Sequence, residues 1–152
     1  VYIISGGKLE VGNDSSLTGE YVSFYFADDA ATLDFKDKAI VELGAPKEGP
    51  MAGILFYENP ATTKERKYEI SSGSVRKLLG TIYLPNGVFK GDDKGKGGKA
   101  EEIGEASAYT VIVANKIELK NVNLVINANY ASSDVPIPAG VGPNSSAVRL
   151  AN

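Results

Sequence analysis

Met51–Tyr57, MAGILFY, is the densest apolar run in the chain. Gly49-Pro50 precede it and Glu58-Asn59-Pro60 follow it, so turn residues bound it on both sides. It is too short for a buried helix, and its length and flanks read as a fully buried strand. Similar runs lie on either side of it: YVSFYF at Tyr21–Phe26, GTIYLP at Gly80–Pro85 and YTVIVAN at Tyr109–Asn115. The chain reads as repeats of this strand.

Aligning one large apolar residue from each run (Phe24, Ile54, Ile82 and Ile112) gives a spacing of about thirty residues, within the range of solenoid repeats. Val22, Ala52, Gly80 and Thr110 fall two places before it, and Phe26, Phe56, Leu84 and Ala114 two places after. Side chains alternate along a strand, so these three columns share one face. Two shorter strands separate successive dense ones, as in TLDF/AIVEL, KYEI/VRKLL and KIEL/VNLVI. Three strands per repeat predict an all-β, single-stranded parallel β-helix of about five coils with about 30 residues per coil. The alternative is an antiparallel β-sandwich or jelly roll. The β-helix domain is expected over 1–130, with a C-terminal tail over 131–152 packed on it. Inward ladders are expected from Phe24, Ile54, Ile82 and Ile112; from Leu33, Phe35, Tyr68, Ile70, Ile117 and Leu119; and from Val41, Leu43, Val75, Leu78, Leu124 and Ile126.

Composition limits the chemistry. The 152 residues suit one domain with a sizeable core. There is no Cys and no His, which removes thiol nucleophiles, disulfides, Cys/His zinc sites and any His-based triad. The net charge of −3 comes without a basic stripe, so nucleic acid is not an expected partner. No apolar run reaches the length of a membrane span. The chain begins at Val1 without Met, which reads as a processed or truncated fragment.

Three stretches invite a functional reading. Asp28-Asp29, near Asp34 and Asp37, are weak candidates for a metal site or an acid–base pair. The better reading puts the pair in a turn and Asp34 on the solvent face. Gly91–Gly98, GDDKGKGG, fails the phosphate-loop pattern and reads as a solvated insertion between coils. The outward row of the dense strands (Tyr25, Leu55, Tyr57, Tyr83 and Val113) is a candidate interaction surface, because stacked apolar residues outside a soluble fold are unusual. Either the tail covers this row or a partner does. No cofactor is expected, and the residues carry no catalytic constellation.

Four segments resemble one family. VYIISGGKLEVG, GPMAGILFYEN, GTIYLPNGVF and YTVIVANKIEL look like segments of the C-terminal domain of TadG-like proteins of the bacterial Tad/Flp (tight adherence) pilus system. The closing Val148-Arg149-Leu150 is similar to the end of those chains. The match covers most of Val1–Leu150 and consists of structural residues. It implies a non-catalytic structural or interaction module, exported to the periplasm, envelope or cell surface. It also implies a membrane link only through an N-terminal anchor outside this sequence, and protein partners in the pilus or envelope apparatus. Two features depart from the family: the charged GDDKGKGGKAEE stretch without Cys, and Asn59 where an acidic polar residue is common. The rival readings are a carbohydrate-binding or carbohydrate-active β-helix and a polymerising solenoid scaffold.

Overall fold

The computed structural model describes residues 1–71, 73–92 and 101–141. Most of the charged insertion and the closing Val148-Arg149-Leu150 therefore lie outside the described residues. The strands are β1 (Tyr2–Ile4), β2 (Lys8–Val11), β3 (Ser16–Gly19), β4 (Phe24–Phe26), β5 (Thr32–Phe35) and β6 (Ile40–Gly44). They continue with β7 (Ile54–Glu58), β8 (Arg66–Ile70), β9 (Val75–Asp92), β10 (Glu101–Ile103), β11 (Thr110–Lys120) and β12 (Val122–Leu124). A single turn of 3₁₀ helix, Tyr130–Ser132, follows.

Every strand pairing among the described residues is parallel, and the one antiparallel contact is an isolated bridge between Tyr109 and Ala128. This corrects the antiparallel-sandwich alternative. The main sheet is nearly closed on itself. Among the described residues no α-helix covers this sheet, so its apolar side chains are buried across the space it encloses.

Three walls enclose the core. The first stacks β1, β4, β7, β9 and β11, with Tyr2, Phe24, Phe56, Ile82 and Ile112 in one column. The second stacks β2, β5, β8, β9 and β11, with Leu9, Leu33, Tyr68, Phe89 and Ile117 in register. The third carries Leu17, Val41 and Val75. A hydrogen bond from Gly104 N to Val75 O of 2.9 Å brings Ile103 into that wall, and Ile103 pairs with Leu124. Strand β9 serves all three walls: 75–79 lie on β6, 81–83 on β7 and 87–91 on β8. Phe26, Phe35, Phe56 and Phe89 are buried at its centre, each stabilising by roughly 1.5–3 kcal/mol.

The expected register needs one correction. Phe24 faces Phe56, not Ile54, and Tyr25 faces Tyr57. The cause is a turn and a bulge. Gly49 and Gly53 adopt left-handed backbone, and Ala52 N bonds Gly49 O, so Met51–Gly53 is turn and the strand starts at Ile54. Between β7 and β9, Ile54 lies opposite Thr81 and Phe56 opposite Ile82, which leaves Leu55 as the inserted residue. Ile117, Leu119 and Ile126, expected inside, are exposed: the first two lie on the last strand of the second wall, β11, and Ile126 lies beyond β12. Strands β3 and β10 have no counterpart among the apolar runs of the sequence, because SLTG and EEI carry one large apolar residue each.

Candidate interaction surface

The first wall has an outer column of Ile3, Tyr25, Tyr57, Tyr83 and Val113. The three tyrosine rings stack: Tyr25 and Tyr57 have centroids 5.8 Å apart with planes at 29°, and Tyr57 and Tyr83 are 5.3 Å apart at 18°. Parallel pairing at one register forces this, because identical outward positions repeat at the strand spacing. The tyrosines are half-buried, while Ile3 and Val113 are exposed. Ring faces are spent on one another, so the column offers ring edges and hydroxyl groups outward.

Four of the five residues of the expected outward row therefore share one column, and Leu55 does not. Leu55 is fully buried in the core cluster with Ala45 and Phe56, because the bulge turns it away from the surface. The expectation that it forms part of an exposed surface is corrected.

The second wall presents the opposite chemistry. Its outer column runs Glu10, Asp34, Glu69, Lys90 and Glu118. Asp34 was expected in solvent but is 6% exposed. Lys8 Nζ lies 3.0 Å from its Oδ2, and Lys36 pairs with the same oxygen. Lys90 pairs with Glu69 at 3.0 Å and Lys116 with Glu118 at 2.5 Å. The two outer faces differ as an aromatic strip differs from a neutralised charge ladder.

Asp28 and Asp29 both pin turns. Asp28 accepts from Ser5 Oγ (2.7 Å) and from the backbone N–H groups of Gly6 (2.6 Å), Ala30 (2.9 Å) and Ala31 (3.0 Å). These donors, led by Ser5, hold its carboxyl below the usual aspartate range. Asp29 accepts from the N–H groups of Thr63 (2.9 Å) and Lys64 (3.2 Å), with Lys64 the larger cause of its lowered pKa. Each carboxylate ties one turn to its neighbour in the next layer. Among the described residues, no group of three or more acidic side chains is placed to hold a metal ion.

A buried polar cluster escaped the sequence reading. Glu58 sits opposite Phe26 and points inward, fully buried. Arg66 Nη2 donates to Glu58 Oε1 and to Thr62 Oγ1 (2.7 Å), and Nη1 donates to the carbonyls of Asp28 and Ala31. Tyr68 OH donates to Glu58 Oε1 at 3.1 Å and Asn86 N to Oε2 at 2.7 Å. Burial first, and the Glu58 charge second, push the Tyr68 phenol above its usual range. Strand alternation was the available signal: Phe56 in, Tyr57 out, Glu58 in. The cluster fixes the 59–65 loop from inside and is closed to solvent.

The C-terminal segment packs beside Gly53. Tyr109 OH donates to Pro136 O at 2.7 Å, and Val135 is buried. Desolvation pushes the Tyr109 phenol up to about 12. Asp134 pairs with Lys47, whose ammonium lies 4.3 Å from the Tyr21 ring centroid. Asp134 first, then Tyr21, raise the Lys47 pKa. Tyr21 holds φ at 59°, a strained backbone for an aromatic residue that costs on the order of 1–3 kcal/mol. A groove of 780 Å³ runs here, lined by Glu20, Tyr21, Lys77, Leu79, Ala108 and Asp134 among others. Among the described residues, the segment thus lies beside Gly53 and Tyr109, at the start of the first wall's strands.

No family model matches the chain, and no curated protein or solved structure matches it either.

Proposed function

We propose that the chain is a parallel β-helix of about five coils that acts as a non-catalytic structural and interaction module. The setting is the extracytoplasmic part of a Tad-pilus-associated envelope protein, in pilus assembly or adhesion. The coil reading is supported by three parallel walls that successive passages of the chain visit in the same order. The setting is supported by the resemblance of four segments to TadG-like proteins. The observation that carries the interaction reading is the outer column of Tyr25, Tyr57 and Tyr83 between exposed Ile3 and Val113.

The partner on this reading is a protein of the pilus or envelope apparatus that covers the aromatic strip. Ring edges and hydroxyl groups suit a protein surface, where apolar contact and hydrogen bonding alternate. The test is complementation in a bacterium that assembles Tad pili. A chain carrying Tyr57→Lys and Tyr83→Lys keeps its β-sheet circular dichroism and fails to restore pili. Full restoration by that folded double variant contradicts the reading.

A second reading has its own observation. Tyr21 is half exposed at the groove beside Glu20, Lys77 and Asp134, a mix of one aromatic face and charged groups that suits a saccharide. A glycan array separates the two, since saccharide binding lost with Tyr21→Ala favours this site over the tyrosine column.

A further inference from the structure

Asn86 and Gly87 sit where β9 leaves the first wall and enters the second. They form the one Asn-Gly pair in the chain. The fold demands both residues. Asn86 N donates to Glu58 Oε2 at 2.7 Å, and Asn86 Nδ2 donates to the carbonyls of Pro60 (3.2 Å) and Thr62 (3.0 Å). Asn86 thus ties β9 to the 59–65 loop between β7 and β8. Gly87 is buried, and a Cβ there would lie 2.5 Å from the Tyr68 ring and 3.2 Å from Glu58 Oε1. Only glycine fits that approach.

An Asn-Gly pair is reactive toward itself, because glycine has no side chain to hinder attack by its own amide nitrogen. Here the pair is restrained. The Asn86 carboxamide is held on the loop carbonyls, and Gly87 is held in the ladder opposite Arg66. Attack needs the two reacting atoms brought together, which these contacts oppose. We propose that Asn86-Gly87 is a self-modification site gated by the Glu58–Arg66 cluster, closed in the fold and converted to isoaspartate when the 59–65 loop lifts away. Gly87 N gives its proton to solvent base and attacks Asn86 Cγ. A C–N bond forms and closes a succinimide, the Cγ–Nδ2 bond breaks, and the nitrogen takes a proton from solvent and leaves as ammonia. Water then opens the ring at either carbonyl, giving aspartate or isoaspartate. The net reaction consumes water and releases ammonia, with nothing oxidised or reduced.

The change runs one way. Aspartate sets a carboxylate, which only accepts, against the Pro60 and Thr62 carbonyls, which also only accept. Isoaspartate lengthens the main chain of β9 by one carbon just before residues 88–91, which pair with β8 on one side and β11 on the other. A loop opening that would otherwise reverse becomes a permanent loss of this part of the second wall. The site lies inside the fold and depends neither on the tyrosine column nor on the envelope setting.

Peptide mapping by mass spectrometry in mildly alkaline buffer tests this, with isoaspartyl methyltransferase as the reagent for isoaspartate. Residue 86 should convert in the urea-unfolded chain and at least about tenfold more slowly in the folded one. Arg66→Met, which loosens the loop, should speed the folded-state conversion by about tenfold or more. A measurement on the unaltered chain guards against misfolding of that variant. Conversion should rise at urea concentrations well below the unfolding midpoint, because the loop opens locally. Chains already converted should refold with a lower urea midpoint than unconverted ones. Equal rates in folded and unfolded chains, or conversion that rises only with global unfolding, would overturn the proposal. So would a folded Arg66→Met chain no faster than its parent, or a converted chain that regains the parent midpoint.

Discussion

Tyr57 lies over Tyr83 with ring centroids 5.3 Å apart and planes inclined by 18°. Tyr25 extends the stack on the other side of Tyr57. Tyr57 therefore has two ring contacts where its neighbours have one. Its replacement by Leu keeps an apolar side chain and removes both. The expected cost is about 0.5–2 kcal/mol, with Tyr25→Leu costing less. Urea unfolding monitored by circular dichroism measures both. Equal costs for the two variants would mean that stacking does not contribute.

Removing the Arg66 charge should cost far more. Arg66→Met leaves Glu58 fully buried without its cation, a loss of about 3–5 kcal/mol. The double variant Glu58→Leu with Arg66→Met removes the stranded charge and should recover a large part of that loss. A single variant within experimental error of the parent would show that Glu58 finds solvent or a proton at little cost.

The Gly53 backbone holds the C-terminal segment close. It has φ of +75°, and a Cβ there would lie 2.0 Å from Pro136 O. Gly53→Ala should push the segment off and destabilise by about 1–3 kcal/mol. The Tyr109 phenol, which donates to Pro136, should then titrate nearer the ordinary value of about 10. Ultraviolet titration reads this shift. An unchanged Tyr109 titration would mean that the segment does not depend on Gly53.

Stability should fall at both ends of the pH scale for different reasons. Asp28 and Asp29 have lowered folded pKa values, so they contribute stability above the unfolded value of about 3.9. That contribution is lost as the pH falls through the folded values. Tyr109 has a raised folded pKa of about 12, so its contribution is complete below about pH 10 and is lost as the pH rises toward 12. Asp28→Asn should remove part of the acid limb and leave the alkaline limb as it is. A chevron-free equilibrium series of urea midpoints against pH is sufficient to see this.

The sequence revealed the strand class and the stacking because the apolar runs recur and alternate. It revealed less about register. MAGILFY begins with apolar residues that turn, since Gly49 and Gly53 place Met51 and Ala52 outside the strand. Apolar content alone cannot distinguish a buried strand from a buried turn. The bulge at Leu55 shows only in the pairing of β7 with β9, a contact between segments distant in sequence. Tyr25, Tyr57 and Tyr83 were legible as outward residues because strand alternation is local. Glu58 and Arg66 were not legible as a pair, because the loop between them brings them together only after the walls stack. The short β3 and β10 were hidden by polar neighbours, and their partners gave them away only in three dimensions.

The register of the first wall is the claim on which the tyrosine column, the coil reading and the interaction surface all depend. The chain contains no cysteine, so paired cysteines report it cleanly. Direct neighbours on adjacent strands lie within disulfide reach, whereas a buried residue turned to the other face does not. Oxidation of Tyr57→Cys with Tyr83→Cys is the decisive measurement. The account predicts a rapid intramolecular disulfide there and none in Leu55→Cys with Tyr83→Cys. The reverse pattern, with the Leu55 pair closing and the Tyr57 pair staying open, would contradict it.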